Sequence, residues 1–237
     1  YGNLLAHVLG YVGIDNQGLS GIELKYDEYL TGTDGKIKYY SDSKGNKLAL
    51  NEVYEEATAG LDIMLTIDYR IQASLERELD NIVSMFQPDN ALALAMDPNT
   101  GEILGMSSRP TFDPNNYQDY DMQTLSRNLP IWMTYEPGST FKMVTAIAGL
   151  ETGTITTKER INDTGVYRKY NSEWKCWYYT SYHRGHGYQN VTQALQHSCN
   201  YFFYETGDRM GIDNLSKYAL HFGLGKKTGI ELPNEKE

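Results

Sequence analysis

Thiols are scarce in this chain. Two cysteines, Cys176 and Cys199, in 237 residues exclude a fold stapled by several disulfides. Basic residues are also in short supply: 21 Lys and Arg against 31 Asp and Glu leave a formal net charge of −10. A surface of that sign repels phosphate backbones, so nucleic acid is not an expected partner. No run of about 18 apolar residues is present, so nothing reads as a membrane span or a secretory leader. The chain starts at Tyr1 and ends on Glu235-Lys236-Glu237, as expected of a piece of a longer protein. The missing targeting segment therefore says nothing about location.

What is present describes an ordinary globular protein, with 40% hydrophobic and 22% charged residues. The length fits one large domain, or one domain with a smaller partner. Twenty tyrosines are many, and several cluster between Tyr167 and Tyr188. They suit solvent-facing strands and loops, or a binding groove.

Residues 1–60 are polar and hold a short capped helix within Gly18–Leu30, then a strand and turn over Lys36–Asn46. This is expected to be the end of a small non-catalytic domain, with a second domain over 61–237. There, Leu61–Ile67 is strand-like and Asp68 is placed to cap a helix. Ile71, Leu75, Leu79, Ile82 and Phe86 give that helix an apolar stripe ending before Pro88. Ala91–Met96 and Glu102–Ser107 flank a Pro/Gly turn and read as a hairpin at the centre of a sheet. Residues 110–130 read as a polar surface excursion. Further helices are expected over Val191–Asn200 and Tyr201–Met210. Helices over a sheet with a hairpin indicate the α+β class.

The chemistry gathers around Tyr135-Glu136-Pro137-Gly138-Ser139-Thr140-Phe141-Lys142 and the apolar run after it. Pro137 and Gly138 make a turn, Ser139 opens a helix, and Lys142 lies one turn on along the same face. A serine becomes a good nucleophile when a neighbouring base takes its proton, and a lysine with a burial-lowered pKa is such a base. Downstream, Ser198-Cys199-Asn200 can direct Ser198 and Asn200 to one side while Cys199 points away. Ser198 could then pass a proton and Asn200 could hold Lys142 or a substrate amide.

These motifs, in this order, resemble the class B (monofunctional) penicillin-binding proteins. Tyr135–Lys142 is similar to their active-site serine motif, and Thr100–Asn115 and Gly21–Asp27 match other family segments. The resemblance covers nearly the whole chain. It implies the fold shared with serine β-lactamases, an antiparallel sheet with helices, truncated at its C-terminus and preceded by part of a pedestal (dimerisation-type) domain. It further implies a peptidoglycan D,D-transpeptidase in which Ser139 attacks the penultimate D-Ala carbonyl of a stem peptide, with Lys142 as base. β-Lactams would acylate the same serine. A membrane glycosyltransferase would be a partner, and an N-terminal anchor outside this chain would hold the enzyme at the extracellular face of the cytoplasmic membrane. The alternative is a β-lactam-sensing domain that acylates without turning over. A β-lactamase would need a residue to activate the deacylating water, and none suggests itself.

Lys227-Thr228-Gly229 looks like the family's third motif, a Lys-Thr-Gly on the strand edging the cleft. Its surroundings, Phe222–Pro233, resemble instead a family loop of the form F-G-x-G-x-x-T-G-I-x-L-P. Lys227 is therefore expected in a loop and the third motif beyond this chain, so that these residues alone would be inactive or very weak.

Cys176, His183, His186 and Cys199 form the pattern C-x6-H-x2-H-x12-C. Two thiolates and two imidazoles suffice for a closed tetrahedral structural zinc site, behind Ser198 and Asn200. A Cys176–Cys199 disulfide and two inert buried thiols remain open alternatives. His197 is a reserve ligand, and His7 and His221 read as structural. No organic cofactor is expected.

Overall fold

The computed structural model describes residues 2–44, 46 and 53–237. The chain forms two compact units, one spanning Tyr1–Thr134 with Gly229–Lys236, the other Tyr135–Thr228 with Glu237.

In the first unit, helices α1 (Ala6–Leu9), α2 (Gly21–Lys25) and α3 (Asp27–Leu30) precede an antiparallel ribbon, β1 (Lys36–Lys38) with β2 (Val53–Glu55). The one helix expected before Leu30 is thus two, separated at Tyr26. Beyond β1, Asp42 Oδ1 accepts from the backbone N–H groups of Lys44 and Asn46, both at 2.8 Å, which makes the expected turn. Gly45 lies outside the described residues. Leu61–Ile67 joins no strand pairing among the described residues; Thr66 Oγ1 donates to Ile103 O at 2.6 Å instead.

Helix α4 (Tyr69–Phe86) begins where Asp68 accepts from the N–H groups of Arg70 and Ile71, and it stops before Pro88 as its pattern predicts. It lies on the hairpin of β3 (Ala91–Met96) and β4 (Ile103–Arg109), whose register is antiparallel from Ala91–Arg109 onward. Among the described residues this hairpin is a two-stranded sheet rather than the centre of a larger one. The apolar stripe of α4 is only partly its buried face: Leu79 is buried, but so are Gln72 and Glu76, while Ile82 and Phe86 are exposed. The reason is backbone pairing. Gln72 accepts from Met106 N–H at 2.8 Å and donates to Met106 O at 2.9 Å, as a neighbouring strand would. Gly105 permits that approach, since a Cβ there would lie 2.7 Å from Leu75 Cδ1. Glu76 then accepts from Ser107 Oγ at 2.6 Å and from Arg109 Nη1 at 2.7 Å.

Residues 110–130 are not a surface excursion. They carry a 3-10 turn (Pro114–Asp119), α5 (Met122–Ser126) and the start of α6 (Leu129–Trp132). Phe112 and Leu125 are buried against Ala6 and Tyr11 in a small core.

The second unit opens with a 3-10 turn, Gly138–Phe141, that runs into α7 (Lys142–Glu151). It continues through β5 (Ile161–Asp163), β6 (Val166–Lys169), β7 (Ser172–Lys175), α8 (Trp177–Tyr182), β8 (Gly187–Gln189), α9 (Val191–Gln196), α10 (Asn200–Met210) and α11 (Ile212–His221). β5 pairs with β8 and β6 with β7, both antiparallel. Helix α7 is the centre, contacted by α9, α10 and α11. It buries Val144, Thr145, Ala146, Ala148 and Gly149, while Met143 and Ile147 face out. At Gly149 the next helix comes close: a Cβ would lie 2.8 Å from Thr206 Cγ2 on α10. The unit's core joins Ala146, Ile155, Ile161, Val191, Ala194, Phe202 and Phe203 to both cysteines. Helix α11 is absent from the sequence expectations, and none of its residues is buried. Lys227, Thr228 and Gly229 lie outside any strand, as their loop context predicts.

Candidate active site

Gly138 supplies a left-handed turn (φ 60) that turns the chain into the serine segment. Ser139 sits exposed in the 3-10 turn, and Lys142 begins α7 one turn later, half-buried. Across from it, α9 ends at Gln196, and His197, Ser198 and Cys199 turn the chain into α10, where Asn200 is the first helical residue. Ser198 is left-handed (φ 49), so the segment is a tight turn rather than extended. Ser198 and Asn200 nonetheless both reach Lys142, while Cys199 is fully buried.

The four residues singled out in the sequence are brought together. Lys142 Nζ lies 3.1 Å from Ser139 Oγ, 2.9 Å from Ser198 Oγ, 2.8 Å from Ser198 O and 2.6 Å from Asn200 Oδ1. Ser198 Oγ is 2.9 Å from Ser139 Oγ. An ammonium has three hydrogens and here faces four oxygens, so it cannot donate to all of them at once. A neutral amine, with two hydrogens and one lone pair, likewise meets three of them, donating to the carbonyl and the amide and accepting from a hydroxyl. Burial pushes the Lys142 pKa below its ordinary value, although the two cysteines pull it back upward. The triangle of Ser139, Lys142 and Ser198 can therefore move a proton among two hydroxyls and an amine.

Behind the Ser198 turn, a second group converges: Asp163, Cys176, His186 and Cys199, whose ligand atoms all lie within 4.8 Å of one another. Asp163 is buried at the end of β5, Cys176 precedes α8, His186 precedes β8 and Cys199 caps α10, accepting from Phe202 N–H. His186 Nδ1 is 2.7 Å from Asp163 Oδ2 and 3.7 Å from Cys176 Sγ, and Cys199 Sγ is 3.3 Å from Asp163 Oδ2. Donors around a tetrahedral zinc would stand about 3.3–3.8 Å apart. The His186–Cys176 and Cys199–Asp163 distances have that spacing, while His186 and Asp163, hydrogen-bonded at 2.7 Å, would have to part to admit the ion. Burial works against the Asp163 carboxylate, yet hydrogen bonds from His186, Gly165 and Cys199 hold its pKa below the usual range. The two thiols adjoin, and their contact lowers the pKa of Cys176 while it and burial raise that of Cys199.

His183 is a correction. It caps α8 in the left-handed region (φ 55), is exposed, and stands edge-on to Tyr179 instead of joining the cysteines. Asp163 takes the fourth place, a residue that no sequence spacing marked. His197 stacks on the His186 ring at 5.7 Å without entering the group. His7 Nε2–H donates to Thr124 O at 2.7 Å, with burial lowering its pKa, and His221 lies against Tyr218; both are packing residues.

In comparisons with known proteins, residues 91–237 match the penicillin binding protein transpeptidase domain. The chain belongs to that family. Residues 1–65 match a second description, the penicillin-binding protein dimerisation domain. Stage V sporulation protein D of Bacillus subtilis is 46% identical over 237 residues, 99% of this chain and 36% of that protein. Peptidoglycan D,D-transpeptidase MrdA of Acinetobacter baumannii is 32% identical over 267 residues, 100% of this chain and 38% of that protein. Among solved structures, penicillin binding protein 3 of Mycobacterium tuberculosis superposes with a TM-score of 0.78 at 27% identity, covering 99% of this chain and 48% of that one. This member of the transpeptidase family thus spans 36–38% of the length of the two curated relatives.

Proposed function

We propose that this chain carries the nucleophile half of a peptidoglycan D,D-transpeptidase that works through a serine acyl-enzyme. The observation that carries the reading is Lys142 Nζ within hydrogen-bond reach of both Ser139 Oγ and Ser198 Oγ. Ser139 Oγ attacks the penultimate D-Ala carbonyl of a stem peptide and gives its proton to neutral Lys142. The tetrahedral intermediate collapses, the C–N bond breaks, and Ser198 relays the proton to the departing D-Ala amine. An amine of a neighbouring strand then attacks the ester, forming the cross-link and returning the proton to Ser139. Asn200 holds Nζ in place throughout. β-Lactams enter the same first step and remain on Ser139. Residues 1–60 serve as the end of a pedestal domain and 61–237 as the start of the catalytic one, which the two family matches support. No helix among the described residues is long and apolar enough to cross a membrane. The stem peptides place the reaction at the outer face of the cytoplasmic membrane, beside a glycosyltransferase that supplies the strands.

Mass spectrometry of the full-length protein after incubation with a β-lactam tests this. The expected adduct maps to Ser139 and is lost in Ser139→Ala; an adduct on another residue, or none, rejects the reading. A long-lived adduct without cross-linking of stem peptides would mark a sensor instead.

For the group behind the turn, we propose a structural zinc held by Asp163, Cys176, His186 and Cys199. Cys199 lies between Ser198 and Asn200, so fixing it fixes both. Metal analysis of protein purified without added zinc is expected to find about one ion per chain, a closed four-ligand site being fully occupied. Metal-free protein with a Cys176–Cys199 disulfide, or with two titratable thiols, rejects it.

A further inference from the structure

Cys176 and Cys199 meet in the buried group, and the residues beside them, Trp177 and Ser198, meet as well. The Trp177 indole Nε1–H donates to His197 O at 3.0 Å and to Ser198 O at 3.1 Å. These carbonyls follow the last residue of α9, where the final C=O groups of a helix have no intrahelical donor. In an extended chain successive carbonyls point to opposite sides, so a single N–H can serve both only if the backbone turns between them. It does so at Ser198, whose φ of 49 is disfavoured for any residue with a Cβ and persists only when surrounding contacts hold it. The same Ser198 carbonyl accepts from Lys142 Nζ at 2.8 Å. The indole is itself held in place, edge-on to Tyr178 at 5.5 Å and to His186 at 5.7 Å.

We propose that Trp177 is a positioning residue for acyl transfer: its indole N–H holds the His197–Ser198 turn so that the Ser198 hydroxyl and carbonyl both meet Lys142. The inference rests on Ser139 being the nucleophile. Trp177 touches neither Ser139 nor Lys142 by hydrogen bond; it acts through the turn.

The test uses the full-length protein carrying β-(3-benzothienyl)alanine at position 177, which keeps the ring shape and replaces N–H by sulfur. Trp177→Phe is its companion. Stopped-flow acylation by a chromogenic cephalosporin separates the dissociation constant of the first encounter from the acylation rate constant. Misplacing a proton-relay group by a fraction of an ångström should slow acylation about tenfold in both variants and leave the encounter constant within about twofold. Benzothienyl protein that acylates at the wild-type rate overturns the proposal, even if Trp177→Phe is slow, because ring packing would then be the whole effect. A loss confined to the encounter constant overturns it too. Wild-type protein that forms no adduct on Ser139 overturns the nucleophile assignment itself, and with it this inference.

Discussion

Lys142 Nζ and Asn200 Oδ1 stand 2.6 Å apart, the shortest of the four contacts that the amine makes. An amide oxygen can hold an amine there without adding charge. Neutrality matters because burial already lowers the Lys142 pKa below the ordinary lysine value of 10.5. Only the neutral amine can take the Ser139 proton, so acylation should rise with pH through the Lys142 pKa, with a midpoint below 10.5. Lys142→Met should cut the acylation rate constant by roughly 10²–10⁴, the usual worth of a positioned base. A pH series of β-lactam acylation on wild type and variant checks both; a residual rate in the variant with the same pH limb would assign that limb to another group.

Replacing the amide by a carboxylate separates holding from charge. Asn200→Asp keeps an oxygen beside Nζ but adds an anion that favours the ammonium. The acidic limb of the acylation profile should move up by about one to two pH units, the shift expected of one close opposite charge. At a pH well above the shifted limb the rate should return toward wild type. A uniform loss at every pH would mean that the aspartate had displaced the amine rather than charged it.

The ends of the glycine-flanked loop before β8 control the second group. A Cβ on Gly185 would lie 2.0 Å from Asp163 O and 2.6 Å from Gly165 N, both backbone atoms with no rotamer to yield. Gly185→Ala must therefore push β5 away from the residue that follows it, His186, whose N–H and ring both bond to Asp163. The expected cost is about 2 kcal/mol, at the middle of the range for overpacking. Occupancy of the proposed zinc site should fall together with the melting temperature. Unchanged zinc content at a lowered melting temperature would place the strain elsewhere.

How far the sequence carries depends on whether a feature is local. Ser139 and Lys142 are one helical turn apart, and Ser198 and Asn200 flank one residue, so each pair is local and recognisable, although the two pairs meet across 56–59 residues. Asp163 is different: it reaches the cysteines because β5 pairs with β8, a contact 24 residues apart at its Asp163–Gly187 end. His183 and His186 are equal candidates by spacing, and only the left-handed cap at His183 turns that ring away. The stripe on α4 fails for a similar reason. Hydrophobic periodicity has no means of foreseeing that Gln72 would serve β4 as a strand would, or that Glu76 would be buried because Arg109 and Ser107 accompany it.

That substitute strand gives the last prediction. Gln72 is fully buried and makes three close bonds, to Met106 N–H, Met106 O and Glu76 Oε1. Gln72→Leu matches its volume but leaves a backbone N–H and a backbone C=O of Met106 without partners inside the protein. Each orphaned group costs about 1–3 kcal/mol, so a loss of roughly 3 kcal/mol is expected in denaturant unfolding. The damage lies in the first compact unit, whereas Ser139, Lys142, Ser198 and Asn200 all belong to the second. Per folded molecule, β-lactam acylation at Ser139 should therefore stay at the wild-type rate while the unfolding midpoint of the first unit falls. A parallel loss of acylation in fully folded Gln72→Leu protein would show that the two units depend on each other for the chemistry.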